Sequence, residues 1–198
     1  MTDENILTRI DKVESHLAIQ QLAARYALAV DSKDVEGVVS LFVEDVNAGM
    51  SWGTGREALK RFYEDALSHF YRSMHLIAGH VIVFDDNDHA HGVVHCRAEH
   101  EAGAQWGIMV MNYKDDYERH GDGWYFRRRR LQPLYTTDIL SRPRGPGFLR
   151  GWTEDTADSF EGEGARLPAE FPTFAAFWRN FPPAHVASLT AEPVEPVG

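Results

Sequence analysis

Three consecutive pieces, HLIAGHVIVF (75–84), DDNDH (85–89) and AHGVVHCRAEH (90–100), decide the fold. The outer two are rich in β-branched and apolar residues, and the middle one is a cluster of turn formers. Together they read as an antiparallel β-hairpin. Downstream, QWGIMVMNYKDDYER (105–119) and GWYFRRRRLQPLY (123–135) flank HGDG and form a second hairpin of the same kind. Upstream the period is helical. From Asn5 to Val30, Ile10, Val13, Leu17, Ile19, Leu22, Tyr26 and Ala29 roughly trace one face of an amphipathic helix, with a break expected near Ser15. SKDVEGVVSLFVEDV (32–46) reads as a second, shorter helix with Val35, Val38, Val39 and Phe42 on its apolar face. GTGREALKRFYEDALSHF (53–70) opens on a Gly/Thr turn and reads as a third. Helices followed by a meander of long antiparallel strands give an α+β architecture, with the helices packed on one face of a curved sheet.

The chain has 198 residues, the size of one domain or of one domain with an extension. Its composition changes after position 140. SRPRGPGFLRGW (141–152) and EGEGARLP (161–168) are Gly/Pro-rich connectors, and FPTFAAFWRNFPP (171–183) carries too many aromatics for a purely solvated tail. We therefore expect a domain over 1–140 and a C-terminal extension over 141–198 that docks on the body or on a neighbouring subunit.

A net charge of −10 argues against broad attraction to nucleic acid or to anionic membranes. The basic run RRRR (127–130) lies in a strand-like segment, where alternate side chains point to opposite faces. No apolar run approaches the length of a membrane span, and the acidic start MTDENILTRIDK lacks the features of a secretory signal, so the expected location is cytoplasmic. The single cysteine, Cys96, permits no internal disulfide, and no Cys/His cluster has zinc-site spacing.

Four segments in order, AIQQLAARYALAVDSKDVEGVVSLFVEDV (18–46), GREALKRFY (55–63), MHLIAGHVIV (74–83) and NYKDDYERHGDGWYFRRRR (112–130), resemble the SnoaL-like branch of the NTF2-like superfamily. The resemblance covers roughly residues 8–135, and family members close to this layout include scytalone dehydratase, hexachlorocyclohexane dehydrochlorinase, bile-acid 7α-dehydratase and cofactor-free lyases acting on aromatic propanoids. It implies a cone-shaped α+β barrel. It also implies a catalytic histidine on the first long strand, matched by His75, held by an aspartate at the end of the first helix, matched by Asp31, with Tyr26 lining the same mouth. Histidine titrates near neutrality and can move a proton from carbon to a leaving group, while a carboxylate on its other nitrogen fixes the tautomer. Tyr26 would donate to an oxygen that gains charge. No metal or organic cofactor is expected.

Each residue also has a plainer reading. Asp31 can cap the next helix, and Tyr26 can be a core aromatic. On the last strand Trp124, Phe126, Arg128 and Arg130 share one face, so with the two aromatics inward Arg128 is the expected substrate contact. The alternative is a charge ladder on the outer sheet. His95 is expected in the pocket by analogy with the second histidine of scytalone dehydratase. One of Asn112 and Tyr113 must face inward, and Trp52 and Trp106 are candidate walls for an aromatic or alicyclic substrate bearing hydroxyl groups.

The expected activity is that of a cofactor-independent lyase, a dehydratase or a related elimination or retro-aldol deformylation. The alternatives are an isomerase of the same fold and a non-catalytic small-molecule-binding module, which a separation of Asp31 and His75 beyond about 4 Å would favour. The resemblance further implies a homo-oligomer, a trimer first, with FAAFWRNF (174–181) serving as a lid or a clasp on a neighbour.

Overall fold

A computed structural model of the chain describes residues 3–102 and 105–138. The C-terminal extension expected over 141–198, with its lid or clasp, lies outside the described residues.

Three helices, α1 (Asp3–Asp31), α2 (Val35–Ser40) and α3 (Arg56–Ser68), precede four strands, β1 (Arg72–Phe84), β2 (His89–Ala102), β3 (Gln105–His120) and β4 (Gly123–Asp138). The strands pair antiparallel in the order β1-β2-β3-β4, as two consecutive hairpins require. The expected α+β fold is thus the one adopted. The sheet is curved: Phe84 on one edge strand and Trp124 on the other bring their rings within 5.9 Å, and α1 packs against both edges. Gly92 permits part of that curl, since a Cβ there would lie 2.5 Å from the Val81 carbonyl oxygen.

The helices depart from expectation in instructive ways. α1 runs unbroken through Ser15, and its buried face belongs to its second half. There Ile19, Leu22, Ala23, Tyr26 and Val30 are buried, whereas Ile10, Val13 and Leu17 are exposed. The second helix is only six residues long: Asp34 caps it by accepting from the Gly37 N–H at 2.8 Å, and it stops at Ser40. The stretch expected to prolong it turns extended instead. The Phe126 N–H donates to the Leu41 carbonyl at 2.9 Å and the Val43 N–H to the Phe126 carbonyl at 3.1 Å, so the apolar Leu-Phe-Val run is used beside β4. Phe42 and Phe126 pack there at 5.1 Å, in the centre of the core.

α1 ends in a Schellman motif. The Asp34 N–H donates to the Ala29 carbonyl at 2.8 Å and the Lys33 N–H to the Val30 carbonyl at 3.1 Å. The left-handed position of this motif, usually glycine, is filled by Lys33 with φ of 61°. A side chain costs roughly 1–2 kcal/mol there.

Two irregularities in the β3–β4 register decide which side chains enter the core. Asp116 pairs with Arg128 while the next residue, Tyr117, pairs with Phe126, so Arg127 is an extra residue on β4. A second shift, between Val110 and Met111, leaves Leu134 unpaired in the same way. Each such bulge reverses the in-out alternation beyond it.

Candidate active site

Asp31 is the last helical residue of α1, where the negative end of the helix dipole opposes a carboxylate. The opposition is offset by donors from β1. The His75 Nδ1 lies 2.7 Å from Asp31 Oδ1, the His75 backbone N–H donates to Oδ2 at 2.8 Å, and the Ser73 hydroxyl donates to Oδ1 at 2.9 Å. Burial alone would raise the Asp31 carboxyl, but the side-chain and backbone hydrogen bonds from His75 outweigh it and hold the group below the usual carboxylate range. An ionised Asp31 only accepts, so Nδ1 of His75 carries the proton and Nε2 is the basic nitrogen. The His75 side chain is 5% exposed and that of Asp31 is 17%.

Beside this pair stands His100, which the sequence reading passed over. Its ring lies 5.3 Å from that of His75, nearly perpendicular at 88°, and 4.6 Å from Phe70 on its other side. Burial first, and then the charges of His75 and Lys33, push His100 down to about 3, with Asp31 opposing. It is therefore neutral at physiological pH. Lys33 completes the cluster: its ammonium donates to the carbonyls of Leu67 and Phe70, both at 2.7 Å. Burial lowers that ammonium and the nearby Asp31 charge raises it, for a net value below the usual lysine range.

The other expected site residues divide into those inside and those outside. Tyr26 is buried, yet it sits about 140° around α1 from Asp31, five residues away at 3.6 per turn. Its ring packs against Tyr113 at 5.7 Å and Phe126 at 6.1 Å, and its hydroxyl accepts from Tyr63 at 3.2 Å. Burial raises its pKa, against the lowering influence of Arg129. Tyr113 faces inward, as one of the pair at 112 and 113 had to.

Asn112 consequently points to the opposite face, in register with His95 and Gln132. His95 is exposed on that outer face, a correction to the pocket position expected for it. The physical reason is parity: Val94, Cys96, Ala98 and His100 are the inward residues of β2. Trp106 is also outward, half-buried, with its indole N–H donating to Glu99 at 3.2 Å. Trp52 is half-buried against Phe62, at 5.9 Å, in the loop before α3.

Arg128 requires the second correction. It is exposed and paired with Asp116 at 2.7 Å, because the bulge at Arg127 reverses the alternation after Phe126. The inward arginine is Arg129. Its Nε and Nη2 donate to the two oxygens of Asp115 at 2.9 and 2.7 Å, and its guanidinium lies 4.1–4.4 Å from the ring centres of Tyr26, Tyr113 and Phe126. The side chains are 3% and 0% exposed. The sequence did hold a signal for this switch. Trp124 and Phe126 are inward on even positions and Leu131 and Pro133 on odd ones, so the parity has to change between them.

Among the described residues no three His, Cys, Asp or Glu side chains are grouped to hold a metal, and no helix is long and apolar enough to cross a membrane.

Three solved structures share this architecture. A scytalone dehydratase-like protein of Novosphingobium aromaticivorans DSM 12444 is 26% identical, with a TM-score of 0.59 over 74% of this chain and 99% of that one. A type 2 hexachlorocyclohexane dehydrochlorinase is 21% identical, with a TM-score of 0.61 over 70% of this chain and 97% of that one. The type 3 enzyme of Novosphingobium barchaimii LL02 is 20% identical, with a TM-score of 0.60 over 70% and 99%. The last two show likeness of fold alone. No curated protein matches the sequence. The SnoaL-like domain profile matches residues 11–130. With more than half of its length inside that match, the chain belongs to the SnoaL-like domain family.

Proposed function

We propose that the protein is a cofactor-independent lyase that eliminates water or another small fragment from a hydroxylated aromatic or alicyclic molecule, with His75 and Asp31 as its acid–base pair. The observation that carries this reading is the double hold of Asp31 on one residue. The carboxylate takes both the ring Nδ1 and the backbone N–H of His75, at 2.7 and 2.8 Å, which fixes the ring and leaves Nε2 as the base.

In this reading Nε2 removes a proton from a carbon next to a carbonyl or a leaving group, and the imidazolium is stabilised by Asp31. The same proton can then pass to the departing oxygen. Because His100 is neutral, the proton returned to the leaving group is the one His75 has taken. Tyr63 donates to the Tyr26 hydroxyl and the Tyr26 ring packs on Arg129 in the core, about 140° around α1 from Asp31, so the proposed step rests on His75 and Asp31 alone. Isomerisation would follow from the same base if the proton returned to another carbon.

The test is incubation of wild type, His75→Ala and Asp31→Asn with scytalone, hexachlorocyclohexane and a panel of hydroxylated cyclic ketones, followed by mass spectrometry. Loss of water, hydrogen chloride or formaldehyde with wild type alone supports the lyase reading. Conversion without mass change supports isomerisation. Equal binding by all three proteins with no conversion would sink both and leave a binding module.

We infer also that the protein is a homo-oligomer, with a trimer as the first expectation. Support comes from the edge strand β1, whose outward residues Met74, Leu76, Val81 and Val83 are 46–67% exposed. A monomeric mass by light scattering at micromolar concentration would reject it.

A further inference from the structure

We propose that Lys33 is a positioning residue for the Asp31–His75 pair, acting through the turn that supports His100; the inference rests on the acid–base reading of that pair. Among the described residues it is the one non-glycine with positive φ, and it occupies a helix-ending position where glycine fits without strain. A residue retained against its backbone preference needs a compensating task for its side chain. The task is visible in the geometry.

The Lys33 ammonium reaches across to the end of α3 and donates to the carbonyls of Leu67 and Phe70, both at 2.7 Å. These carbonyls lie at the C-terminal end of the helix and just beyond it, where intrahelical donors run out and the dipole is negative, so a cation there satisfies both needs. The residues it holds are the ones that build the site. Phe70 places its ring 4.6 Å from His100, and the Tyr71 N–H next to it ties the turn to β2 through the Glu101 carbonyl at 2.8 Å. His100 in turn stands with its ring at 88° to His75, 5.3 Å away.

The contacts form a closed circuit: Asp31 to His75, His75 to His100, His100 to Phe70, Phe70 to Lys33, and Lys33 back to Asp31 two residues along the chain. One end of α1 therefore fixes the imidazole twice, directly through the carboxylate and indirectly through the wall behind it. Glycine at 33 would ease the backbone and open the circuit. Methionine would keep the strain and most of the apolar stem but lose the two hydrogen bonds. Arginine would keep the charge and the donors.

The experiment uses the full-length chain with Lys33→Gly, Lys33→Met and Lys33→Arg. It compares thermal midpoints, the ring-proton resonances of His75 and His100, and turnover of whichever compound of the scytalone and hexachlorocyclohexane panel the wild type converts. Lys33→Gly should melt no lower than Lys33→Met, since it relieves the backbone. In both, the His100 resonances should leave the position imposed by the Phe70 ring, and kcat should fall by about 10²-fold, the scale of an ångström misplacement, with KM changing far less. Lys33→Arg should restore most of both. Unmoved His100 resonances in Lys33→Gly, or moved resonances with wild-type kcat, would overturn the proposal. The acid–base reading fails by a separate sign, wild-type turnover in His75→Ala; if wild type converts nothing, the resonances alone decide the clamp.

Discussion

Two carboxylate clusters among the described residues, Asp115 with Arg129 and Asp31 with His75, are built to opposite ends. In the interior, Asp115 accepts from Arg129 twice and from the Tyr117 hydroxyl at 2.9 Å. Tyr117, whose O–H is engaged in donating to Asp115, accepts in turn from His80 Nε2 at 2.8 Å. The Arg129 guanidinium of that cluster packs against three aromatic rings, and the Asp115 side chain is 0% exposed. At the end of α1, Asp31 is partly exposed and holds His75 through Nδ1, which in the proposed reading leaves Nε2 as the base. In the first, a buried charge pair is locked among rings; in the second, hydrogen bonds fix an imidazole beside a partly exposed carboxylate, the arrangement on which the proposed chemistry rests.

The comparison breaks most sharply at turnover. His75→Ala should lower kcat by about 10³–10⁴-fold, and Asp31→Asn nearly as much, because the amide NH2 can donate to Nδ1 and hold the ring in the wrong tautomer. Both proteins should remain folded by circular dichroism, since the rest of the core is untouched. Arg129→Met should do the reverse. Leaving Asp115 buried and unpaired costs roughly 3–5 kcal/mol, read as a large drop in the urea midpoint, whereas the double variant Arg129→Met/Asp115→Leu should recover much of it. A double variant no better than either single one would mean that the ion pair is worth more than its desolvation.

How much of this contrast was legible in the sequence follows from the arithmetic of alternation. The hairpins and the long first helix were readable because their periods persist over ten residues or more. The Asp31–His75 pairing came from family resemblance; the sequence alone left Asp31 free to be a cap. The outward positions of Arg128 and His95 were misjudged for different reasons. At His95 the local pattern was sufficient, since Val94, Cys96 and Ala98 already mark the even residues as inward and so point to His100. At Arg128 a bulge intervened, and a run of four arginines carries no hydrophobic marker of where the parity changes. The early end of α2 at Ser40 was not legible because Leu41, Phe42 and Val43 suit a helix face and a strand edge equally well. Only the tertiary pairing with Phe126 chooses between them.

A smaller effect sharpens the comparison through pH. His100 is pushed down to about 3 in the folded protein, well under the usual histidine value, so the unfolded chain binds the extra proton first. Its contribution to stability is complete above about pH 6.5 and is lost as the pH falls toward the folded value, at up to about 1.4 kcal/mol per pH unit. His80, pushed down to about 4 mainly by burial, acts in the same direction. Urea midpoints measured from pH 7 to 4 should therefore fall in wild type and fall less steeply in His100→Gln. Equal slopes would mean that the imidazole escapes burial on protonation.

The smallest expected effect is the most discriminating for the strand register. Arg128→Ala and His95→Ala change side chains on the outer face, one exposed and ion-paired with Asp116, the other exposed beside Asn112. Exposed ion pairs contribute about 0–1 kcal/mol, so each variant should unfold within that margin of wild type and turn over at the wild-type rate. Arg129, one residue further on, should fail badly under a far milder change, Arg129→Lys, because a lysine has no fork for Asp115 and no plane to lie against three rings. Adjacent arginines with effects at the two extremes are what a bulge at Arg127 predicts. If Arg128→Ala proved the damaging change, the alternation would run unbroken through Arg127, and the buried cluster would have to be assigned to a different residue.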